Sequence, residues 1–320
     1  MNAATGGAAE PAEPAAGPTA GPTAEPTAEP TATLAEKSAS GPAAGYRPHR
    51  TLPLRVEMVR QLRRRRTMYA LGFLALLPFI LVAAFALGSD SNGAGPGQAT
   101  LVDLATSGAV NFTIFTVFAS AGFLLVVVVA LFCGDTVASE ASWSSLRYLL
   151  AAPVPRSRLL RAKLTVALGY SATAVVLLPL VALGVGRLFY GWHPVHTPAG
   201  DSYGAWEGLG RLGLVVAYLL VSLLLVGSVS FYLSTVTDAP LGAVGGGVGL
   251  VIVSNILDAI TALGSLREVL PTHYQFAWTD ALTSPVHLDA MVRGAVASVA
   301  YSVVFLFLAW RHFSAKDILS

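Results

Sequence analysis

Residues 132–163, FCGDTVASEASWSSLRYLLAAPVPRSRLLRAK, are the only long polar-amphipathic segment enclosed by two strongly apolar runs. Acidic residues come first, Asp135 and Glu140, and Trp143, Leu146, Tyr148, Leu149 and Leu150 fill the middle. Arg147, Arg156, Arg158, Arg161 and Lys163 lead back into apolar sequence. Read as a helix from about Thr136 to Ala151, the segment places Trp143, Leu146 and Leu150 on one stripe, at spacings of three and four. Pro153 and Pro155 end that helix, because neither supplies a backbone N–H and each disfavours helix in the residue before it. A short helix held at a membrane surface by flanking cations can dock a soluble partner. It can equally be an interfacial helix that only connects two spans.

On either side of this segment the chain reads as membrane protein. Six apolar stretches run approximately 68–87, 112–133, 164–186, 212–233, 241–263 and 294–310. Most reach the roughly 20 residues that cross about 30 Å of hydrocarbon at about 1.5 Å per residue. The last is short and is expected to extend at each end. No alternating ten-residue pattern of a membrane barrel is present. Apolar residues make up 54% of the chain and charged residues 12%, displaced from soluble usage toward membrane proteins. The mean hydropathy of +0.64 includes a polar tail and so requires several spans. The fold class expected is all-α and polytopic, with six transmembrane helices.

The charges orient it. Sixteen of the twenty Lys and Arg residues precede the first span, lie between spans two and three, or follow the last; Arg187, Arg211, Arg267 and Arg293 lie on the other side. The cation-rich side is the cytoplasmic one, so both termini and the 134–163 loop are expected inside a plasma membrane. Residues 1–50 are rich in Ala, Pro and Thr, with a four-residue echo in PTAGPTAEPTAEPTAT, and are expected to be a disordered cytoplasmic tail. That tail lacks the apolar core of a signal peptide, so the first span is expected to be an uncleaved anchor. Residues 51–320 then form the membrane domain. At its start, TLPLRVEMVRQLRRRR reads as an amphipathic helix in the headgroup region, with its cations facing anionic lipid or a partner rather than nucleic acid. Near its end, residues 264–293 are too apolar for a free loop and too interrupted to span. Two short helices dipping into the outer leaflet, broken near Pro271, fit that segment.

These residues resemble the membrane subunit of an ABC transporter, of the type-2 exporter permease class common in actinobacteria. The resemblance runs from about Leu52 to Ile318. It is carried by LRVEMVRQLRRRRT before span one, GDTVASEASWSSLRYLLAAPVPRSRLLRAK after span two, LPTHYQFAWTD before span six and the terminal FSAKDIL. The second motif is the most specific: acidic, then Leu-Arg-Tyr-Leu-Leu, then Pro-x-x-Arg. The chain departs from the pattern at Trp143-Ser144-Ser145, where a small or basic residue and a Gly-Thr pair are expected. The resemblance implies an interfacial connecting helix at 52–66, a cytoplasmic coupling helix within 138–150 and re-entrant external helices before span six. It also implies a separate ATPase subunit, docked through Glu140, Trp143, Leu146 and Arg147, and a second permease copy or homologue completing the pathway. ATP would reach the system through that partner. Lys37, Lys163 and Lys316 are the only lysines, and none closes a G-x-x-x-x-G-K-[ST] loop.

Other chemistries fit poorly, and the chain is expected not to be an enzyme. Gly200-Asp-Ser202-Tyr-Gly204 matches a nucleophile elbow by letters only, with no strand expected before it and no clear helix start after it. His193 and His196 read as a surface pair rather than metal ligands. The single cysteine, Cys133, excludes an internal disulfide and reads as a buried small hydrophobe. The glycines of GAVGGGVG, 242–249, read as close helix packing. Asn255 and Asp258 are candidates for lining a substrate path, although Asp258 also fits a plain interfacial position. Two functions remain open: an exporter permease for an amphiphile, drug or lipid-linked polymer, and a non-transporting scaffold recruiting a cytoplasmic factor through the 134–163 loop.

Overall fold

The structure is a computed structural model that describes residues 54–88, 101–142, 156–197 and 200–315. The expected disordered tail, and most of the expected coupling helix, lie outside the described residues. What is described is helical apart from one two-stranded hairpin and irregular connections. Among the described residues six helices are long and apolar enough to cross a membrane, as in an all-α polytopic protein.

Helix α1, Leu54–Leu62, leads through a short turn into α2, Arg65–Gly88. A short helix α3, Leu101–Thr106, precedes α4, Ala109–Ala121, and α5, Leu124–Ser142. Helix α6, Arg156–Tyr190, is the longest at 35 residues. Its length of about 52 Å exceeds a hydrocarbon thickness of about 30 Å, so its first turns have room to project beyond the apolar layer. Strands β1, Val195–His196, and β2, Ser202–Tyr203, pair antiparallel, with Val195 opposite Tyr203 and His196 opposite Ser202. Helices α7, Ala205–Val236, and α8, Pro240–Ala259, follow. Two 3-10 segments, Thr261–Val269 and Ala277–Leu282, lie to either side of Pro271, and α9, Asp289–Ala315, closes the described chain. The final helix extends past both ends of the apolar run that announced it.

The second span departs from its expected bounds of 112–133. It is two helices meeting at Gly122–Phe123, and the second continues nine residues past the expected end, through Ser142. The continuation is polar yet buried, because Asp135, Ser139 and Glu140 find partners on neighbouring helices. Pro78 and Pro179 each remove one hydrogen bond, but α2 and α6 continue through them.

Helix α7 packs among α4, α5, α6, α8 and α9, and its inward face (Val215, Tyr218, Leu219, Leu223, Val226) forms the centre of the core with Leu125, Val129, Phe132, Leu178, Trp278 and Met291. Close approach of backbones needs small residues. A Cβ at Gly134 would lie 3.0 Å from Val244 N, and one at Gly247 would overlap Ser230 Oγ. The packing role expected of the 242–249 glycines thus falls on Gly246 and Gly247, while Gly245 and Gly249 face open space. Around the outside, α2 shows Phe73, Leu76 and Phe79, α8 shows Ile252, Val253 and Ile256, and α9 shows Val296, Val303 and Phe307. Such continuous apolar faces suit lipid or another membrane helix, not water.

Candidate functional site

Helix α1 is amphipathic in the inverted sense. Leu54, Val56, Met58, Val59 and Leu62 are exposed, whereas Glu57 and Gln61 are buried at 4% each. Glu57, Arg60, Gln61 and Arg64 follow a spacing of three, four and seven, which puts them on one stripe. That polar stripe faces the bundle and the apolar one faces away, the arrangement expected where the surroundings are lipid. Tyr170 of α6 fixes the helix further by donating its hydroxyl to Met58 O at 2.7 Å.

Facing the stripe are the last turns of α5 and the first turns of α6. Lys163 Nζ lies 2.5 Å from Glu140 Oε1 and 3.3 Å from Glu57 Oε1. Arg60 also pairs with Glu140 and, at 3.7 Å, with Glu57. Asp135 takes Arg64 at 2.9 Å on one oxygen and Arg66 on the other. Arg64 donates to Ser139 Oγ as well, at 3.0 Å; Asp135 and Ser139 sit one turn apart, so a single guanidinium spans both. Four cations and three carboxylates thus form a network of two clusters along α5: Glu57, Arg60, Glu140 and Lys163 join α1, α5 and α6, and Asp135 holds Arg64 in the turn and Arg66 at the start of α2. Lys163 and Glu140 are 2% exposed each. Ions taken from water this completely are tolerated only when paired and hydrogen-bonded on all sides.

Helix α5 is also held from behind. Ser234 Oγ of α7 accepts hydrogen bonds from the backbone N–H groups of Val137 and Ala138, both at 2.9 Å. The hydroxyl fixes the polar continuation of α5 against α7 and sets the direction in which Asp135, Ser139 and Glu140 point.

The expected docking residues part company here. Glu140 is buried in the network, paired with Lys163 and Arg60. Trp143, Leu146 and Arg147 lie outside the described residues. The basic run is likewise divided. Arg64 and Arg66 are engaged with Asp135, while Arg63 and Arg65 are exposed. Of the pathway candidates, Asn255 is exposed on α8. Asp258 stands at the far end of α8 with His273 Nδ1 at 2.6 Å and Arg267 Nε at 3.5 Å, tying the 3-10 segments to that helix. The letters of Gly200–Gly204 turn out to hold a strand at Ser202–Tyr203 and a helix start at Ala205, contrary to expectation. Ser202 is nonetheless exposed, and the strand that pairs it with His196 is only two residues long.

The network itself was not foreseen as a unit. Its signals were present: Glu57 is the one acid in residues 54–62, and Lys163 is the only lysine between Lys37 and Lys316.

A family model described as "Protein of unknown function (DUF2705)" matches residues 99–319, more than half of the chain. The chain belongs to the DUF2705 family. No curated protein matches it. The DUF2705 match takes in α5 and α6, hence Asp135, Glu140 and Lys163, and begins after α1 and α2, which supply Glu57, Arg60, Arg64 and Arg66. The network therefore joins the DUF2705 stretch to the helices that precede it.

Proposed function

We propose that this chain is the membrane-spanning permease subunit of an ABC exporter, with both termini and the ion-pair network on the cytoplasmic side of the plasma membrane. A separate ATPase binds ATP and docks on the segment after α5, through Trp143, Leu146 and Arg147, and a second permease copy or homologue completes the substrate pathway. Glu140 has a different part from the one its position first suggested: it positions that segment instead of contacting the ATPase.

One observation carries the reading. Glu140 lies near the start of the stretch that resembles a coupling helix and Lys163 beyond its end, and they are joined to each other at 2.5 Å and to α1 through Glu57 and Arg60. The base of the loop is closed by ion pairs, so a push on the loop is delivered to α1, α5 and α6 together. A coupling element needs this kind of stiff attachment; a passive connector between two spans does not. The inverted amphipathicity of α1 and the bias of cations to the same end support it further.

The test is affinity purification of the full chain from its native membrane in mild detergent. An ATPase with a Walker-A motif should co-elute, and amphiphilic candidate substrates should stimulate its hydrolysis. Co-elution of a cytoplasmic protein without ATPase activity would instead favour the scaffold.

A further inference from the structure

The end of the bundle opposite the ion-pair network carries four arginines, Arg187, Arg211, Arg267 and Arg293. Two of them are engaged within the chain. Arg211 pairs with Glu207 at 2.7 Å and donates to Thr283 O at 2.7 Å, and Arg267 Nε faces Asp258 at 3.5 Å. Arg187 and Arg293 are exposed, and neither pairs with a carboxylate among the described residues. Arg187 differs from Arg293 in having a built surrounding. Its guanidinium lies over the Trp192 ring, 5.5 Å from the centroid, and Trp192 packs against Trp206 with centroids 5.4 Å apart.

The chain makes this stack locally. Helix α6 ends at Tyr190, and Gly191 turns the backbone with a φ of 72°, which side chains other than glycine rarely adopt. His193 Nδ1 lies 2.9 Å from Tyr190 O and holds the turn. The hairpin then returns the chain to Trp206, the second residue of α7. Depth follows from charge. Residues 164–186 carry none, and they cover about 34 Å of helix against a hydrocarbon layer of about 30 Å. Arg187 is thus the first charge on α6 beyond the apolar layer, at the level of lipid headgroups. Leu188, Phe189 and Trp206 beside it are 79%, 58% and 77% exposed. Apolar side chains so uncovered suit the lipid interface, where tryptophan is also enriched.

The chemistry of the stack selects its ligand. A guanidinium lying on an aromatic face keeps its N–H fork free, and that fork matches two oxygens of one phosphate. The hydrogen-bonding groups of Arg187 and Trp192 are all donors, and the pair carries one positive charge and no negative one. Glu207, next to Trp206 in sequence, is held by Arg211. An acceptor-rich anion with an apolar body meets both halves of the patch. We propose that Arg187 and Trp192 bind the phosphate of an anionic phospholipid, whose acyl chains run along the exposed Leu188 and Phe189. The site is complete within one copy of the chain and serves whichever leaflet this end faces, so it stands apart from the exporter reading.

The test uses the full chain, delipidated in detergent, with phosphatidylglycerol added back and bound lipids counted by native mass spectrometry. Arg187→Gln should weaken the tightest phosphatidylglycerol by more than about tenfold, which is about 1.4 kcal/mol. Arg293→Gln, an exposed arginine at the same end without a ring beneath it, should leave that lipid in place. Trp192→Leu keeps the charge and removes the ring, and Arg187→Lys keeps the charge and removes the fork; both should weaken binding severalfold. If Trp192→Leu fails to fold, Arg187→Lys carries the same comparison. Phosphatidylcholine should bind more weakly than phosphatidylglycerol, and diacylglycerol, which lacks the phosphate, should bind equally to wild type and Arg187→Gln. Excess glycerol 3-phosphate should not displace the lipid. Equal loss in Arg187→Gln and Arg293→Gln, or no loss in Arg187→Lys, would reduce the site to a bare surface charge and overturn the proposal. Phosphatidylcholine bound as tightly as phosphatidylglycerol, or displacement by glycerol 3-phosphate, would overturn it as well.

Discussion

Lys163 Nζ and Glu140 Oε1 stand 2.5 Å apart, 23 residues apart in sequence, each with 2% of its surface exposed. Their contact closes the loop between the second and third apolar spans at its base, and Glu57 and Arg60 extend the closure to α1. A buried pair of this kind contributes little net stability over an apolar substitute, but removing one partner alone is severe.

Lys163→Met should therefore destabilise the chain by about 3–5 kcal/mol, since it removes the buried ammonium between Glu57 and Glu140 and leaves Arg60, which is half-exposed, to face both. Arg161→Ala, at an exposed position on the same helix, should stay within about 0.5 kcal/mol of wild type. Thermal unfolding in detergent reads both. A swapped pair, Glu140→Lys with Lys163→Glu, should recover part of the loss, as expected of two groups in direct contact. Equal melting of Lys163→Met and Arg161→Ala would show that the network bears no weight.

The four consecutive arginines should separate into two classes. Arg63→Gln and Arg65→Gln remove exposed cations and should weaken binding to anionic vesicles by about 1 kcal/mol each while leaving the melting temperature alone. Arg64→Gln and Arg66→Gln withdraw the partners of Asp135 and should lower the melting temperature. Four identical substitution effects would mean that the run acts only through its summed charge.

Orientation is open to a direct check. Ser202 and Ser157 are both exposed and lie at opposite ends of the bundle, so accessibility differs only by side. In a chain whose Cys133 is replaced by Ala, an impermeant maleimide added to intact cells should label Ser202→Cys and not Ser157→Cys. Labelling of Ser157→Cys alone would invert the proposed topology.

Much of the architecture was legible because its cause is local. A run of some twenty apolar residues has few solutions in lipid other than a helix, and all six runs became helices with the expected order. The break at Pro271 was readable for the same reason: proline constrains its own backbone and that of the residue before it. What was not legible depended on residues far apart in sequence. The extension of α5 to Ser142 follows from Ser234, Arg64 and Lys163, none of which is near it in the chain. Glu140 looked like a surface residue because acidic residues at a span's end usually are, and its pairing with Lys163 and Arg60 is not visible from the sequence around it. Glu57 and Arg60 of α1 showed the right spacing, but the spacing alone does not say which face meets protein and which meets lipid. The stack of Arg187, Trp192 and Trp206 could not be read at all, since it joins the end of α6 to the start of α7 across the hairpin.

The claim that the loop after α5 docks an ATPase is the one on which the proposed function depends. Trp and Arg are frequent interface anchors, and truncating one costs about 2 kcal/mol or more, which at about 1.4 kcal/mol per tenfold amounts to a roughly thirtyfold weaker complex. The most direct measurement is the affinity of the co-purified ATPase for Trp143→Ala and for Trp206→Ala, an exposed tryptophan at the opposite end of the bundle. Trp143→Ala should weaken the complex about thirtyfold and lower substrate-stimulated hydrolysis while the chain melts as wild type, and Trp206→Ala should leave the affinity unchanged. Equal affinities for the two variants would contradict the account and reduce the loop to a connector.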